Sequence, residues 1–176
     1  MSMNANIASV EQLRLMLVDD DSLVNEAIAE YLGRKGWVVS AFLNGEDALK
    51  ALRQDPSAYD VLVTDISMPE LNGMDFLRMA KEEAPYVPII MITGHPSIDS
   101  AVFALKRGAA DFFTKPFKVQ ELELAIRKAA GEARVLGSMD VERTSAPERE
   151  RPIAGLPVVA RRRLEDKIKE LSILHT

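Results

Sequence analysis

The stretch LRLMLVDDDSLVNEAI, residues 13–28, joins an apolar run to three consecutive aspartates and then to a helical pattern. Residues 13–18 are almost entirely apolar, which predicts a strand covered on both faces. Asp21 precedes a run with apolar residues three and four positions apart, so it fits the N-cap of a helix. Asp19 and Asp20 have no such local explanation. Adjacent carboxylates repel each other and are costly to bury without a partner.

The alternation of apolar and amphipathic runs continues along the chain. It predicts an α/β fold with a doubly wound, five-stranded parallel sheet. The predicted strands are residues 13–18, 37–42, 59–64, 87–93 and 110–114. The predicted helices are residues 22–34, 44–54, 72–83, 96–107 and 118–136.

Composition limits the classes of protein to which the chain can belong. Hydrophobic residues make up 47% of the 176 residues, enough for a real core. Cysteine is absent, which excludes a disulfide scaffold and thiolate metal sites. No apolar run reaches the ~18 residues of a membrane span, so a cytoplasmic protein without membrane contact is expected. The net charge of −5 gives no support for nucleic-acid binding within this chain.

Polar residues stand at the ends of four predicted strands. The first strand is followed by Asp19 and Asp20, the third by Asp65, the fourth ends in Thr93 and the fifth is followed by Lys115. Ligands of open α/β sheets lie beyond the carboxyl ends of the strands, so these side chains are expected to converge. Clustered carboxylates without thiols suit Mg²⁺. Together with a nucleophilic carboxylate, a hydroxyl and an ammonium, they predict a phosphoryl-transfer site.

Each of these residues also has a simple structural explanation. Asp19 and Asp20 suit the positive end of a helix dipole, and Asp65 suits the start of a turn. Thr93 suits a strand, and Lys115 suits a solvated loop. Only their joint occurrence at four strand ends favours the phosphoryl-transfer site.

Four motifs give the chain a resemblance to response-regulator receiver domains of bacterial two-component signalling. They are VDDD, TDISMPELNGMDFL, MITGH and ADFFTKPF, and the resemblance extends from about Leu13 to Arg134. It implies a flavodoxin-like strand order of 2-1-3-4-5. It also implies that Asp65 accepts the phosphoryl group. Asp20 would bind Mg²⁺ directly, Asp19 would act mostly through water, and Asp65 and the Ser67 carbonyl would be further ligands.

The resemblance assigns roles to other residues as well. Thr93 resembles the switch hydroxyl and Phe112 the switch aromatic, while Lys115 resembles the phosphate-binding lysine. The peptide bond before Pro116 would be cis. His95 and Ser67, each two residues after a site residue, would tune the rate of dephosphorylation.

The function expected from this resemblance is a phosphorylation-dependent switch. A sensor histidine kinase or phosphotransfer protein would phosphorylate Asp65, as in a phosphorelay. The face formed by the fourth helix, fifth strand and fifth helix would then change and control a partner or output domain. No enzyme activity is expected beyond the chain's own phosphorylation and dephosphorylation.

Two alternative functions remain. One is an aspartyl-phosphate phosphatase, although Ser67 stands where such enzymes carry a second aspartate, and the other is a phosphate-independent pseudo-receiver.

Composition divides the chain into four segments. Residues 1–12 are predicted to be an N-terminal tail and residues 13–136 the receiver domain. Residues 137–157 are rich in proline, glycine, serine and charge, which predicts a linker. Residues 158–176 are predicted to form a helix, which would be the start of a missing output or coiled-coil region if the chain is a fragment.

The final helix also bears on self-association. Its apolar seam of Leu164, Ile168 and Leu171 is short. Such a helix would either fold back on the receiver or fray, or it would pair with a second copy. A homodimer is expected, formed either through this helix or through the receiver face.

Overall fold

The computed structural model describes residues 12–140, together with Asp166 and Lys169. Strands and helices alternate throughout residues 12–140. The strands are β1 (Arg14–Val18), β2 (Val38–Phe42), β3 (Val61–Asp65), β4 (Ile89–Thr93) and β5 (Asp111–Thr114). The helices are α1 (Ser22–Arg34), α2 (Gly45–Gln54), α3 (Gly73–Glu83), α4 (Ile98–Lys106) and α5 (Val119–Asp140). The predicted α/β class is confirmed.

All five strands are parallel and lie in the order β2-β1-β3-β4-β5. This order is the one that the resemblance implied. β1 lies between β2 and β3, and Leu15 is in register with Val39 on one side and Val61 on the other. The chain reverses its direction of winding after β2, so β1 and β3 are neighbours whose carboxyl ends meet at the point where ligands bind in such sheets.

The sheet separates two hydrophobic layers. Alternate residues of β1 point to opposite faces, with Met16 in one layer and Leu17 in the other. Helices α2, α3 and α4 cover the first face, and α1 and α5 cover the second. The sequences of the central strands are continuous apolar runs because both faces of these strands are buried.

Helix α4 begins two residues later than predicted. Pro96 precedes the helix, and Ser97 is its N-cap. The Ser97 hydroxyl oxygen accepts a hydrogen bond from the Ser100 N–H, and the Ser100 hydroxyl oxygen accepts one from the Ser97 N–H. This reciprocal cap satisfies open backbone N–H groups and sets the first turn at Ile98.

Helix α5 continues through Gly137 to Asp140. Its last residues were predicted to belong to the linker. Residues 141–157 and most of the predicted C-terminal helix lie outside the described residues, although Asp166 and Lys169 are helical. The division of the chain into domains stays a prediction. Among the described residues, no helix is both long enough and apolar enough to span a membrane.

Gly73, the first residue of α3, lies against the end of β3. A Cβ atom at this position would lie 2.1 Å from the carbonyl oxygen of Asp65. The Gly73 N–H donates to the carbonyl of Ile66 over 2.8 Å, while the Asn72 side chain caps the helix. The close approach holds α3 against the strand that delivers Asp65.

We expect Gly73→Ala to lower the free energy of unfolding by about 3 kcal/mol, because the added methyl group collides with backbone atoms. Gly131→Ala is the matched control, since nothing lies within 4 Å of a Cβ at that helical position. It should instead stabilise by about 0.5–1 kcal/mol, as glycine is unfavourable inside a helix. Urea-induced unfolding measures both changes. Equal effects of the two substitutions would contradict the close approach.

Candidate functional site

The Lys115 ammonium joins two strand ends that are far apart in sequence. Its Nζ donates to Asp19 Oδ2 over 2.7 Å and to Asp65 Oδ2 over 2.9 Å. Both carboxylates are almost completely buried, with exposures of 1% for Asp19 and 5% for Asp65. Burial lowers the pKa of Lys115, but the hydrogen bonds and charges of the two aspartates outweigh it and leave the pKa raised. Lys115 is therefore a single cation shared between two buried carboxylates.

The Asp19 carboxylate is held on both of its oxygens. Oδ1 accepts a hydrogen bond from the Asp21 N–H over 2.9 Å, while Oδ2 accepts from Lys115. Burial raises the pKa of Asp19 more than these hydrogen bonds lower it. The neighbouring Asp21 plays the predicted capping role, since its side chain accepts from the N–H groups of Leu23 and Val24.

Asp20 lies next to these buried groups but is exposed. Asp19, Asp20 and Asp65 each offer one carboxylate oxygen, and these oxygens lie within 4.8 Å of one another. Oxygen ligands in a small cluster open to solvent suit Mg²⁺, which retains several waters. These three aspartates are the residues that could hold such an ion. Aspartates from β1 and β3 thus converge as the sequence predicted.

Thr93 and Ser67 flank Asp65. Thr93 is buried, and its Oγ1 accepts a hydrogen bond from the His95 N–H over 3.1 Å. The Ser67 N–H donates to Asp65 Oδ1 over 3.0 Å, while the Ser67 side chain is exposed. The His95 side chain is also exposed. Ser67 and His95 are thus connected to Asp65 and Thr93 through their backbone N–H groups, and their side chains face solvent.

The end of β5 is tied to the end of β4. The Lys115 N–H donates to the carbonyl of Thr93 over 2.8 Å, and the Lys115–Pro116 peptide bond is cis. Phe112 is fully buried and belongs to the core layer beneath α2, α3 and α4. The switch aromatic of the sequence prediction therefore faces inward here.

Asn25 supports the site, and sequence reasoning missed it. Its Nδ2 donates to the carbonyl of Asp19 over 2.9 Å and to that of Phe42 over 3.0 Å. The amide thereby fastens the end of β1 to the end of β2. A signal existed in the sequence, because Asn25 lies three residues before Ile28 and seven before Leu32, on the buried stripe of α1.

Comparison with known proteins identifies the family of this chain. The sequence model of the response regulator receiver domain matches residues 15–127. The chain belongs to this family. Receiver domains are phosphorylation-regulated switches, so the chain is a phosphorylation-dependent switch of two-component signalling.

Individual relatives agree with this assignment. Over 115 residues the chain is 42% identical to the response regulator protein TodT of Pseudomonas putida, covering 65% of this chain and 50% of TodT. Over 113 residues it is 38% identical to the DNA-binding transcriptional regulator NtrC of Proteus hauseri, covering 64% of this chain and 24% of NtrC. The chain thus matches between a quarter and a half of these relatives' length.

Solved structures of receiver domains match over nearly their full length. A receiver domain protein from Clostridium thermocellum superposes with a TM-score of 0.67 at 32% identity, covering 70% of this chain and 98% of that one. The beryllofluoride-activated NtrC4 receiver domain dimer gives a TM-score of 0.64 at 33% identity, covering 68% and 98%.

We expect Mg²⁺ to stabilise this receiver domain through Asp20. At ten times its dissociation constant, Mg²⁺ should add about 1.4 kcal/mol, or roughly 5 °C in melting temperature. Asp20→Asn should lose most of this gain and should raise the melting temperature in EDTA, because one of three neighbouring negative charges is gone. Differential scanning fluorimetry with and without Mg²⁺ measures both effects.

Asp21→Asn is the matched control for this experiment, because asparagine caps a helix as well as aspartate does. It should retain the full Mg²⁺ response. If Asp20→Asn and wild type respond to Mg²⁺ to the same extent, Asp20 is not a ligand.

Proposed function

We propose that Asp65 is the phospho-acceptor of this receiver domain and that Mg²⁺ is its metal ion. The observation that carries the proposal is the Lys115 ammonium, 2.9 Å from Asp65 Oδ2 and 2.7 Å from Asp19 Oδ2. It is a positive charge already positioned beside the nucleophile, where the oxygens of an incoming phosphoryl group would need one. Bound Mg²⁺ would supply further charge neutralisation at Asp19, Asp20 and Asp65.

In the reaction, one carboxylate oxygen of Asp65 attacks phosphorus and forms an acyl phosphate. The bond between phosphorus and the donor breaks, and its electron pair leaves with the donor, which is a phosphohistidine or a small acyl phosphate. Lys115 then exchanges a carboxylate oxygen for a phosphoryl oxygen. The Ser67 N–H, 3.0 Å from Asp65 Oδ1, keeps the aspartate oriented. Attack of water on phosphorus reverses the modification.

Phosphorylation changes the charge at Asp65. A phosphoryl group carries about −1.5 to −2 charges and three strong acceptor oxygens at neutral pH. Thr93 would donate its hydroxyl proton to one of these oxygens, which is supported by its position at the end of β4 and by its Oγ1 accepting, rather than donating, in the bond with the His95 N–H. Inward movement of Thr93 would alter the space beside Phe112, and the face of α4, β5 and α5 would follow. His95 and Ser67, exposed at the rim, would set access of the attacking water.

The proposed phosphoryl donor is a sensor histidine kinase or a phosphotransfer protein. A phosphatase acting on a foreign substrate is not favoured, because position 67 holds serine rather than a second carboxylate. A phosphate-independent pseudo-receiver is not favoured either. The three aspartates, Thr93 and Lys115 are all present.

With acetyl phosphate and Mg²⁺, intact-mass spectrometry should show one added phosphoryl group on the full chain. Asp65→Asn should abolish the addition because an amide oxygen is too weak a nucleophile. Asp60→Asn is the matched control, since Asp60 precedes the same strand at its other end and pairs with Arg14. It should be phosphorylated like wild type. If phosphorylation survives in Asp65→Asn but is lost in Asp19→Asn, the acceptor is Asp19, at the end of β1, and not Asp65.

We also propose that the chain forms a homodimer through α4, β5 and α5. Phe103 on α4 is 46% exposed and Leu124 on α5 is 68% exposed, so apolar side chains are available on this face. The relative NtrC4 is described as a receiver dimer when activated by beryllofluoride. Burial of such side chains in a dimer would be favourable.

Light scattering with and without beryllofluoride, on the full chain and on a chain ending at Asp140, should show a dimer that beryllofluoride strengthens in both. Phe103→Ser should weaken it. Leu23→Ser is the matched control because Leu23 is 74% exposed on α1, which is not one of the three elements of this face. A monomer in all four samples would rule out the dimer, and a dimer lost only on truncation would place the contact in the C-terminal segment.

A further inference from the structure

A cleft of about 730 Å³ lies at the edge of the sheet opposite the acidic site. Its walls come from the last turns of α3, the loop before β4 and the end of α4. These segments lead into the amino ends of β4 and β5, whereas Asp65 and Lys115 lie at the carboxyl ends of their strands. The cleft therefore shares no residue with the phosphoryl-transfer site. Its lining residues are Arg78, Lys81, Glu82, Pro85, Tyr86 and Arg107.

Lys81 brings a half-buried positive charge to the cleft. Its aliphatic stem passes Gly108, where a Cβ would lie 3.6 Å from Lys81 Cε, and its Nζ donates to the carbonyl of Val87 over 2.9 Å. Within the described part of the chain, no carboxylate forms an ion pair with this ammonium, and burial alone lowers the pKa of Lys81. A charge removed from water without a counter-charge is costly, so an anion in the cleft would be stabilising.

Arg107 brings a second cation without a carboxylate partner among the described residues. Its guanidinium lies over the ring of Phe103, 4.7 Å from the ring centroid. Glu82 is the single carboxylate of the lining, and it is already paired with Arg78 over 3.1 Å. The cleft thus concentrates uncompensated positive charge, although the protein as a whole carries a net charge of −5.

Tyr86 adds an exposed aromatic ring to the cleft. Its side chain is 77% exposed beside Pro85, so a flat aromatic face is open to a ligand. Exposed aromatic rings beside arginine are suited to stacking a planar base. The volume falls within the range of roughly 300–1,000 Å³ typical of small-molecule sites.

We propose that this cleft binds a nucleotide, with its phosphate on Lys81 and Arg107 and its base stacked on Tyr86. The guanidinium of Arg107 offers the planar pair of donors that matches phosphate oxygens. A compact cleft with one aromatic face and two cations that pair with no carboxylate of the described residues suits a small ligand better than an extended acidic peptide, which would need a longer row of cations.

Titration of the full chain with AMP, GMP, ribose 5-phosphate, inorganic phosphate and a glutamate-rich peptide, in EDTA and followed by two-dimensional amide NMR, tests this proposal. The nucleotides should bind more tightly than ribose 5-phosphate and should shift the amides of the α3–β4 loop and the end of α4. Arg107→Ala should weaken nucleotide binding about tenfold or more, the usual effect of losing a hydrogen bond to a charged group. Tyr86→Ala should remove the preference for nucleotide over ribose 5-phosphate.

Lys106→Ala is the matched control, since Lys106 is an exposed cation beside Arg107 that does not line the cleft. It should bind nucleotide like wild type. Melting temperature and acetyl-phosphate labelling of Asp65 show that each variant is folded. No amide shifts at millimolar nucleotide, an equal loss in Lys106→Ala and Arg107→Ala, or tighter binding of a glutamate-rich peptide than of either nucleotide would each overturn the proposal.

Discussion

The contact of one ammonium with two buried carboxylates depends on the whole sheet. Asp19 follows β1, Asp65 is the last residue of β3 and Lys115 follows β5, so they meet only when these strands are parallel and in register. The contact in turn makes the arrangement tolerable, because two carboxylates this deeply buried would otherwise repel each other. The parallel sheet brings the two carboxylates close together, and the lysine that follows β5 offsets part of their charge.

One lysine partly offsets the carboxylate charge at the site. The Lys115 ammonium is shared between Asp19 and Asp65, so neither carboxylate is free of a partner before phosphoryl transfer. A phosphoryl group on Asp65 would compete for the same ammonium with stronger acceptor oxygens. In the proposed reaction, phosphorylation would change how the Lys115 ammonium is divided between these two carboxylates. Thr93 is buried, its hydroxyl oxygen accepts a bond from the His95 N–H, and under the same proposal it would be the next group to respond.

The sequence predicted the strands and the convergence of Asp19, Asp65 and Lys115 because parallel strands align their carboxyl ends at one edge. It did not predict that Lys115 contacts Asp19 as well as Asp65, since the reach of a flexible side chain depends on strand spacing. Asn25 was missed because an amide on a buried helical stripe resembles any other polar residue until its carbonyl partners are known. The start of α4 was placed two residues early because the hydroxyls of Ser97 and Ser100 decided it locally.

Helix α4 is anchored differently from its neighbours. Its fully buried side chains are Ala101 and Ala104, whereas α3 buries Phe76 and Leu77 in the same layer. Each large apolar side chain contributes about 1.5–3 kcal/mol on burial, and a methyl group much less. Small side chains also interlock little with the strands beneath them. Displacing α4 from this face would therefore cost less free energy of packing than displacing α3.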